Sequence, residues 1–408
     1  MSLSNCPGSD QVSFMLDHNS MARTDNTPAK LTESRYPECD RSGPLFGPNR
    51  MKLAVFGLNV SSAGGLTKAK DRHEINWKQN VRLVKLAEDA GFEAAVPFAR
   101  WRGFEGETNP WGESFETYTW AAGLAAVTSR IAVFSTSHIF TMSPIMAAKQ
   151  ISTIDHISGG RVALNTVAGW FGKEIQMFTA ESLDHDARYA YADEWMDIVT
   201  RLWTETDTFD FSGAYHTIKG GYQQPKSIQQ PRPPVMSAGL SAVGNAFAAR
   251  WADMVFVSPD KLDPQSAKEK VNALRSLAAE RGRNPQVWIA ASVEVAPTEA
   301  QAHATVAHFI EQEGDVKAQE NFLDWILGGS HMSPERRKSL VDSAKDIGRG
   351  YPIVGTPSQV ADEIHALSEA GVDGLCVTWF NYEVGMPYFI REVLPLLEKR
   401  GLRQAFTR

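Results

Sequence analysis

The chain has 408 residues, 43% of them hydrophobic and 22% charged, the balance of an ordinary globular protein. A formal net charge of -7 leaves no basic face for nucleic acid. No apolar run approaches the ~18–20 residues of a membrane helix, the N-terminus lacks a signal-peptide core, and the cysteines Cys6, Cys39 and Cys376 are too sparse for a disulfide framework or a metal site. A cytoplasmic protein without nucleic-acid or membrane partners is the expectation.

Residues 1–50 are rich in Ser, Asn, Asp, Pro and Gly, have no apolar period, and read as an irregular N-terminal arm. From Met51 the pattern alternates. Lys52–Gly57 reads as a buried strand, and apolar residues from Trp77 to Ala90 mark an amphipathic helix stopped by Gly91. Glu93–Val96 is a second strand. Its loop, Pro97 to Glu113, carries Phe98, Arg100, Trp101, Arg102 and Trp111, a load suited either to a lined pocket or to a packed surface loop. A helix over Glu116–Ser129, a strand over Ile131–Thr136, a helix over Pro144–Ile157 and a strand over Arg161–Leu164 follow. The next helix runs from Tyr189 to Trp203, and Phe209 to Pro234 is a Gly- and Pro-punctuated insertion that could form a hairpin.

Strands are expected at 234–239, 254–257, 287–295 and 374–378, with helices between them. A second insertion spans about 310–350, and long loops of this kind are often lids or mobile segments. Thr356-Pro357 caps a helix that ends at Gly371, and a last helix covers Met386–Arg400. Eight strands alternating with helices predict an α/β fold, a (β/α)8 TIM barrel with insertions over 51–402. A doubly wound sheet is the alternative, but no G-x-G-x-x-G follows the first strand.

In such barrels ligands bind at the carboxyl ends of the strands. The run Val162-Ala163-Leu164 ends at Asn165, which places Asn165 there. About 20 residues on, His185-Asp186-Ala187-Arg188-Tyr189 opens a helix where Arg188 and free backbone N–H groups could meet a phosphate. Taken alone, this stretch reads more readily as a buried turn with a helix cap. No G-x-S-x-G elbow, P-loop or H-E-x-x-H is present, and the histidines show no metal-ligand spacing. His138, at a strand end, reads more readily as a residue satisfied by the backbone than as a catalyst. What remains at strand ends is neutral and hydrogen-bonding: Thr136, Asn165 and Ser241. Such a set suits an enzyme whose cofactor performs the difficult chemistry.

From Met51 to Leu402 the chain resembles the bacterial luciferase-like, flavin-dependent monooxygenases. Arg102-Gly103-Phe104 and the AGLAAVTSRI ending at Ile131 resemble the pyrimidine oxygenases. Asn59-Val60-Ser61, Gly169-Trp170-Phe171, His185–Tyr189 and Gly355-Thr356-Pro357 resemble the dimethylsulfone and alkanesulfonate monooxygenases. The resemblance implies a barrel with FMN at the carboxyl end, supplied reduced by a separate NAD(P)H:flavin reductase, that uses O2 to oxygenate a small organic substrate such as a ring amide, sulfone or sulfonate. It places Ala99 and Arg100 along the flavin ring and Asn165 and Glu174 at the isoalloxazine or ribityl part. Arg188, Tyr189 and Ser241 fall on ribityl-phosphate positions, and Thr136 with Asn165 on the pair that flanks the oxygen pocket. It also implies a homodimer or homotetramer. Ala99-Arg100 and Phe98 depart from the pyrimidine branch, which carries an aliphatic-lysine pair and a methionine there. A deazaflavin-dependent dehydrogenase on the same barrel, or a flavin-binding protein without turnover, are the alternatives.

Overall fold

The computed structural model describes residues 36–169, 171–178, 183–239, 241–329 and 350–406, with 334, 335 and 338 besides. Eight parallel strands close on themselves: β1 (Lys52–Phe56), β2 (Ala94–Val96), β3 (Ala132–His138), β4 (Val162–Val167), β7 (Val235–Ser237), β8 (Met254–Phe256), β9 (Gln286–Val295) and β11 (Gly374–Thr378), which returns to β1. This is the expected (β/α)8 barrel. Side-chain alternation builds it. Leu53, Val55, Val133 and Leu164 point outward into the layer shared with the helices, while Ala54, Ala132, Phe134, Ala163 and Met236 fill the interior.

Three differences from the sequence reading matter. The strand expected to end at Leu164 continues to Val167, so Asn165 is a strand residue held by the ladder to β3 and β7. An additional strand, β10 (Tyr351–Gly355), pairs with the upper half of β9, where proline and glycine had masked its period. The last helix is two, Tyr382–Glu392 and Leu394–Lys399, the second entered through Pro395 in its first turn. The 209–234 insertion contains an antiparallel hairpin, β5 (Phe209–Ser212) with β6 (Thr217–Gly221).

Helices α1 (Trp77–Asp89), α2 (Thr117–Val127) and α3 (Pro144–Ser158) cover β1 to β4. A single turn, α4 (Gly172–Ile175), precedes α5 (His185–Thr204). Then come α6 (Ala242–Trp251), α7 (Pro264–Ala279), α8 (Glu299–Ala307) and α9 (Val316–Gly329), the last within the second insertion. The helix after β10, Pro357–Glu369, starts with a complete capping box between Thr356 and Gln359.

Residues 36–50, inside the stretch read as an arm, are irregular but packed against the barrel floor. Leu45 joins the interior cluster. Tyr36 stands edge-on to Trp251 and lies under Arg232. Arg232 is fully buried, forks onto Asp253 at 2.6 and 2.8 Å, and also donates to the Pro37 carbonyl. A buried charge paired this completely ties segment to barrel without stranding a donor.

Candidate active site at the carboxyl mouth

The register sets Thr136 directly beside Asn165, at the upper ends of β3 and β4, and both side chains are buried. Asn165 Nδ2 donates to Thr136 Oγ1 at 3.3 Å, and Thr136 Oγ1 donates to the Pro97 carbonyl at 2.7 Å. The Thr136 hydroxyl proton is therefore engaged, and the residue fixes the Asn165 amide. Asn165 Oδ1 is buried and has no partner among the described residues. A buried unpaired acceptor costs about 1–3 kcal/mol unless a ligand supplies a donor.

Two loops wall this mouth. Asn59, just beyond β1, holds the start of the β2 loop as a strand would: Phe98 N donates to its Oδ1 and its Nδ2 donates to the Phe98 carbonyl, both at 2.8 Å. Ser61 N donates to the Glu113 carbonyl and Trp111 N to the Ser61 carbonyl, zipping the loop's far end. This is the physical content of the Asn59-Val60-Ser61 motif. Glu105, Asn109 and Trp111 hold φ of 61°, 45° and 61°. Such strained non-glycine conformations persist where surroundings over-determine them. Asp315, ahead of α9, adds a latch by accepting from Thr108 N at 2.8 Å, so the first part of the 310–350 insertion docks on this loop. Most of 330–349 lies outside the described residues.

Glu174, on α4, is the loop's inner lock. Its Oε1 accepts from Trp101 N at 2.8 Å and Arg102 N at 3.1 Å, and its Oε2 accepts from Arg100 Nη1 at 3.2 Å. Arg100 also lies over Trp111, 5.1 Å from the ring centroid. His138 Nδ1 is 3.6 Å from Glu174 Oε2. Burial, helped by Arg100, pushes the His138 imidazole down to about 3, so the ring is neutral at any working pH. The sequence had placed His138 with the backbone; the two-residue offset from Thr136 on β3 was the available signal that it faces the same mouth. Ala99 is buried between Phe98 and Arg100 in this wall.

The remaining predicted residues gather at the neighbouring helix starts. Asp184 caps α5, whose first turn carries Arg188 and Tyr189, and Ser241 caps α6, accepting from Gly244 N at 3.0 Å. The Tyr189 phenol lies beside the Ser241 side chain; burial raises its pKa, and burial lowers that of Arg188. Gly239 and Gly244 meet face to face, so that a Cβ on Gly239 would stand 2.8 Å from Gly244 Cα. The backbone cradle so formed, with two helix N-termini, a guanidinium and two hydroxyls, suits a phosphate. The structure thus groups Thr136 with Asn165, Arg100 with Glu174, and Tyr189 with Ser241. Trp170, within the Gly169-Trp170-Phe171 motif, lies outside the described residues.

The family model described as "Luciferase-like monooxygenase" matches residues 51–374. The chain is 31% identical over 357 residues to the FMNH(2)-dependent dimethylsulfone monooxygenase of Pseudomonas putida, covering 86% of this chain and 96% of that one. It is 31% identical over 363 residues to the pyrimidine monooxygenase RutA of a Bradyrhizobium species, covering 86% of this chain and 99% of that one. Among solved structures it superposes on riboflavin lyase (RcaE) with a TM-score of 0.77 at 22% identity, over 87% of this chain and 93% of that one, a likeness of fold alone.

Proposed function

The chain belongs to the luciferase-like monooxygenase family and is an FMN-dependent monooxygenase, and from that premise we propose that it oxygenates a small organic substrate at the mouth formed by Thr136, Asn165 and the β2 loop. The observation that carries the site is the buried, unpaired Asn165 Oδ1 beside Thr136 at the strand ends. The cradle at Tyr189, Ser241 and the facing Gly239 and Gly244 supports FMN as the group held there.

When bound, reduced FMN supplies the two electrons that activate O2. The chain's own residues position and shield. With FMN bound, Asn165 would have its carbonyl oxygen free to accept a hydrogen bond and its second amide hydrogen free to donate one. Thr136 orients that amide through its bond to Pro97. Arg188 and the α5 and α6 starts would hold and neutralise its phosphate. Glu174 acts through the loop, holding Arg100 and Trp101 over the mouth.

The two kinds of curated relative favour a sulfone and a pyrimidine respectively, and either fits the small-substrate reading. A separate NAD(P)H:flavin reductase and a homodimer or homotetramer belong to the same proposal. Among the described residues, no helix is long and apolar enough to cross a membrane. The direct test is O2 uptake with reduced FMN in the presence of candidate substrates. Oxygenated product supports the proposal, and hydride transfer without O2 consumption would replace it with the dehydrogenase reading.

A further inference from the structure

At the end of the barrel opposite the mouth, residues 36–50 do not seal the floor. A cleft of ≈ 320 Å³ opens between Arg41 and Phe46 of that segment and the foot of the barrel, where Arg275 of α7, Asn284, Pro285, Gln286 at the start of β9, and Asp373 just ahead of β11 line it. The volume lies within the ~300–1,000 Å³ usual for small-molecule pockets. Its walls are fixed. Gln286 Nε2 donates to the Leu45 carbonyl at 2.9 Å, which ties segment to strand. Asp373 Oδ2 accepts from Val287 N at 2.7 Å and from Arg275 Nη2 at 2.9 Å, and the same Nη2 donates to the Gly371 carbonyl at 2.9 Å.

Two guanidinium groups and one carboxylate line the cleft, so one positive charge is in excess. The carboxylate is already engaged. Arg275 and the Val287 N–H hold it, and Lys52, in register with the adjoining Gly374, attracts it as well. The Arg41 guanidinium stands 4.9 Å from the Phe46 ring centroid, a contact that consumes none of its N–H donors. Arg275 Nε is buried and has no hydrogen-bond partner, a costly state for a donor unless a ligand supplies an acceptor. Free donors on both guanidinium groups, with a single net positive charge, match a monoanion, and a planar carboxylate fits the guanidinium fork. Asp373 in the same wall repels a dianion. Phe46 and Pro285 add a flat apolar part. We propose that this cleft is a second binding site, separate from the mouth, for a small monoanionic carboxylate with a planar apolar body, held between Arg41 and Arg275. Because Arg41 belongs to the segment and Arg275 to α7, the bound carboxylate bridges them and fastens residues 36–50 to the floor.

Isothermal titration of the full-length protein at low ionic strength tests this, with benzoate as the probe, benzamide as its neutral isostere and inorganic phosphate as the more highly charged anion. Benzoate should bind with a Kd on the order of 1 mM, about tenfold or more tighter than benzamide and tighter than phosphate. Arg41 is exposed, so Arg41→Gln leaves the fold intact and should weaken benzoate about three- to tenfold, and added salt should weaken it in the wild type. Amide hydrogen exchange locates the site. Benzoate should slow exchange at Phe46 and Gly47, whose N–H groups bond within the segment, and should not do so in Arg41→Gln. Benzamide or phosphate bound as tightly as benzoate, an unchanged benzoate affinity in Arg41→Gln, no measurable benzoate binding, or slowed exchange confined to the mouth around Thr136 and Asn165 each overturn the proposal. None of these readouts involves flavin or turnover, so the outcome is independent of the oxygenase reading.

Discussion

Separating Arg100 from Glu174 should cost far more than removing both. Their side chains are 5% and 1% exposed and lie 3.2 Å apart. Arg100→Met leaves a carboxylate buried with the Trp101 and Arg102 N–H groups and a neutral His138 for company, and Glu174→Gln leaves a guanidinium buried without its counter-ion. Removing one partner of a buried pair typically costs about 3–5 kcal/mol. The double variant strands no charge, and the amide introduced by Glu174→Gln keeps an oxygen for the two N–H groups, so the loop stays anchored. The double variant should lose less than either single one, so the coupling between the two changes should be at least as large as one single loss, about 3–5 kcal/mol. Urea unfolding followed by far-UV circular dichroism, with the denaturant slope unchanged, reads all four corners of the cycle. Single-variant losses that add to within about 0.5 kcal/mol in the double would refute the reasoning, because they would mean that neither charge relies on the other.

Arg188→Ala should weaken FMN by about ten- to a hundredfold in fluorescence titration, the equivalent of the ~1.5–3 kcal/mol expected of a charge-assisted hydrogen bond; unchanged affinity would move the phosphate elsewhere. Removal of Met1–Arg35, which has no periodic apolar face, should leave thermal stability and FMN binding intact. Extending the deletion to Pro48 also removes Leu45 from the barrel interior and should destabilise by about 2–5 kcal/mol or more. Acid should weaken the fold: burial depresses His138 to about 3 and His73 to about 4, below the ordinary 6.5. Below pH 6.5 the unfolded chain therefore binds protons that the folded chain refuses, and stability falls with falling pH until those lower values are reached. Each histidine contributes about 1.4 kcal/mol per pH unit in that window, and His138→Asn should make the loss between pH 6 and 5 measurably shallower in urea unfolding.

The barrel was legible because its strands are short buried runs separated by helices with ordinary caps. The eight expected strands are the eight that close. β10 escaped because Pro352 and Gly355 interrupt its apolar period, and the length of β4 because Asn165 and Thr166 look like a loop when read alone. Among the site residues, Thr136 beside Asn165 and Tyr189 beside Ser241 follow from strand order and helix starts, which sequence carries. Glu174 as the lock on Trp101 and Arg102 does not, because those bonds span more than 70 residues and terminate on backbone N–H groups that have no sequence signature. Asn59 has the same character, being a side chain that completes another loop's backbone ladder.

The account stands most directly on how reduced FMN is spent. The measurement is oxygenated product formed per reduced FMN consumed, with hydrogen peroxide determined in parallel and uracil as the first ring substrate. In the wild-type protein a substantial fraction should appear as product. Asn165→Ala should cut oxygenation by about 10²-fold or more, as loss of a preorganised donor does, and return the electrons as peroxide. Thr136→Val, which frees the Asn165 amide, should fall in the same direction. Wild-type yields of product in both variants would contradict the assignment of this strand-end pair as the oxygenation site.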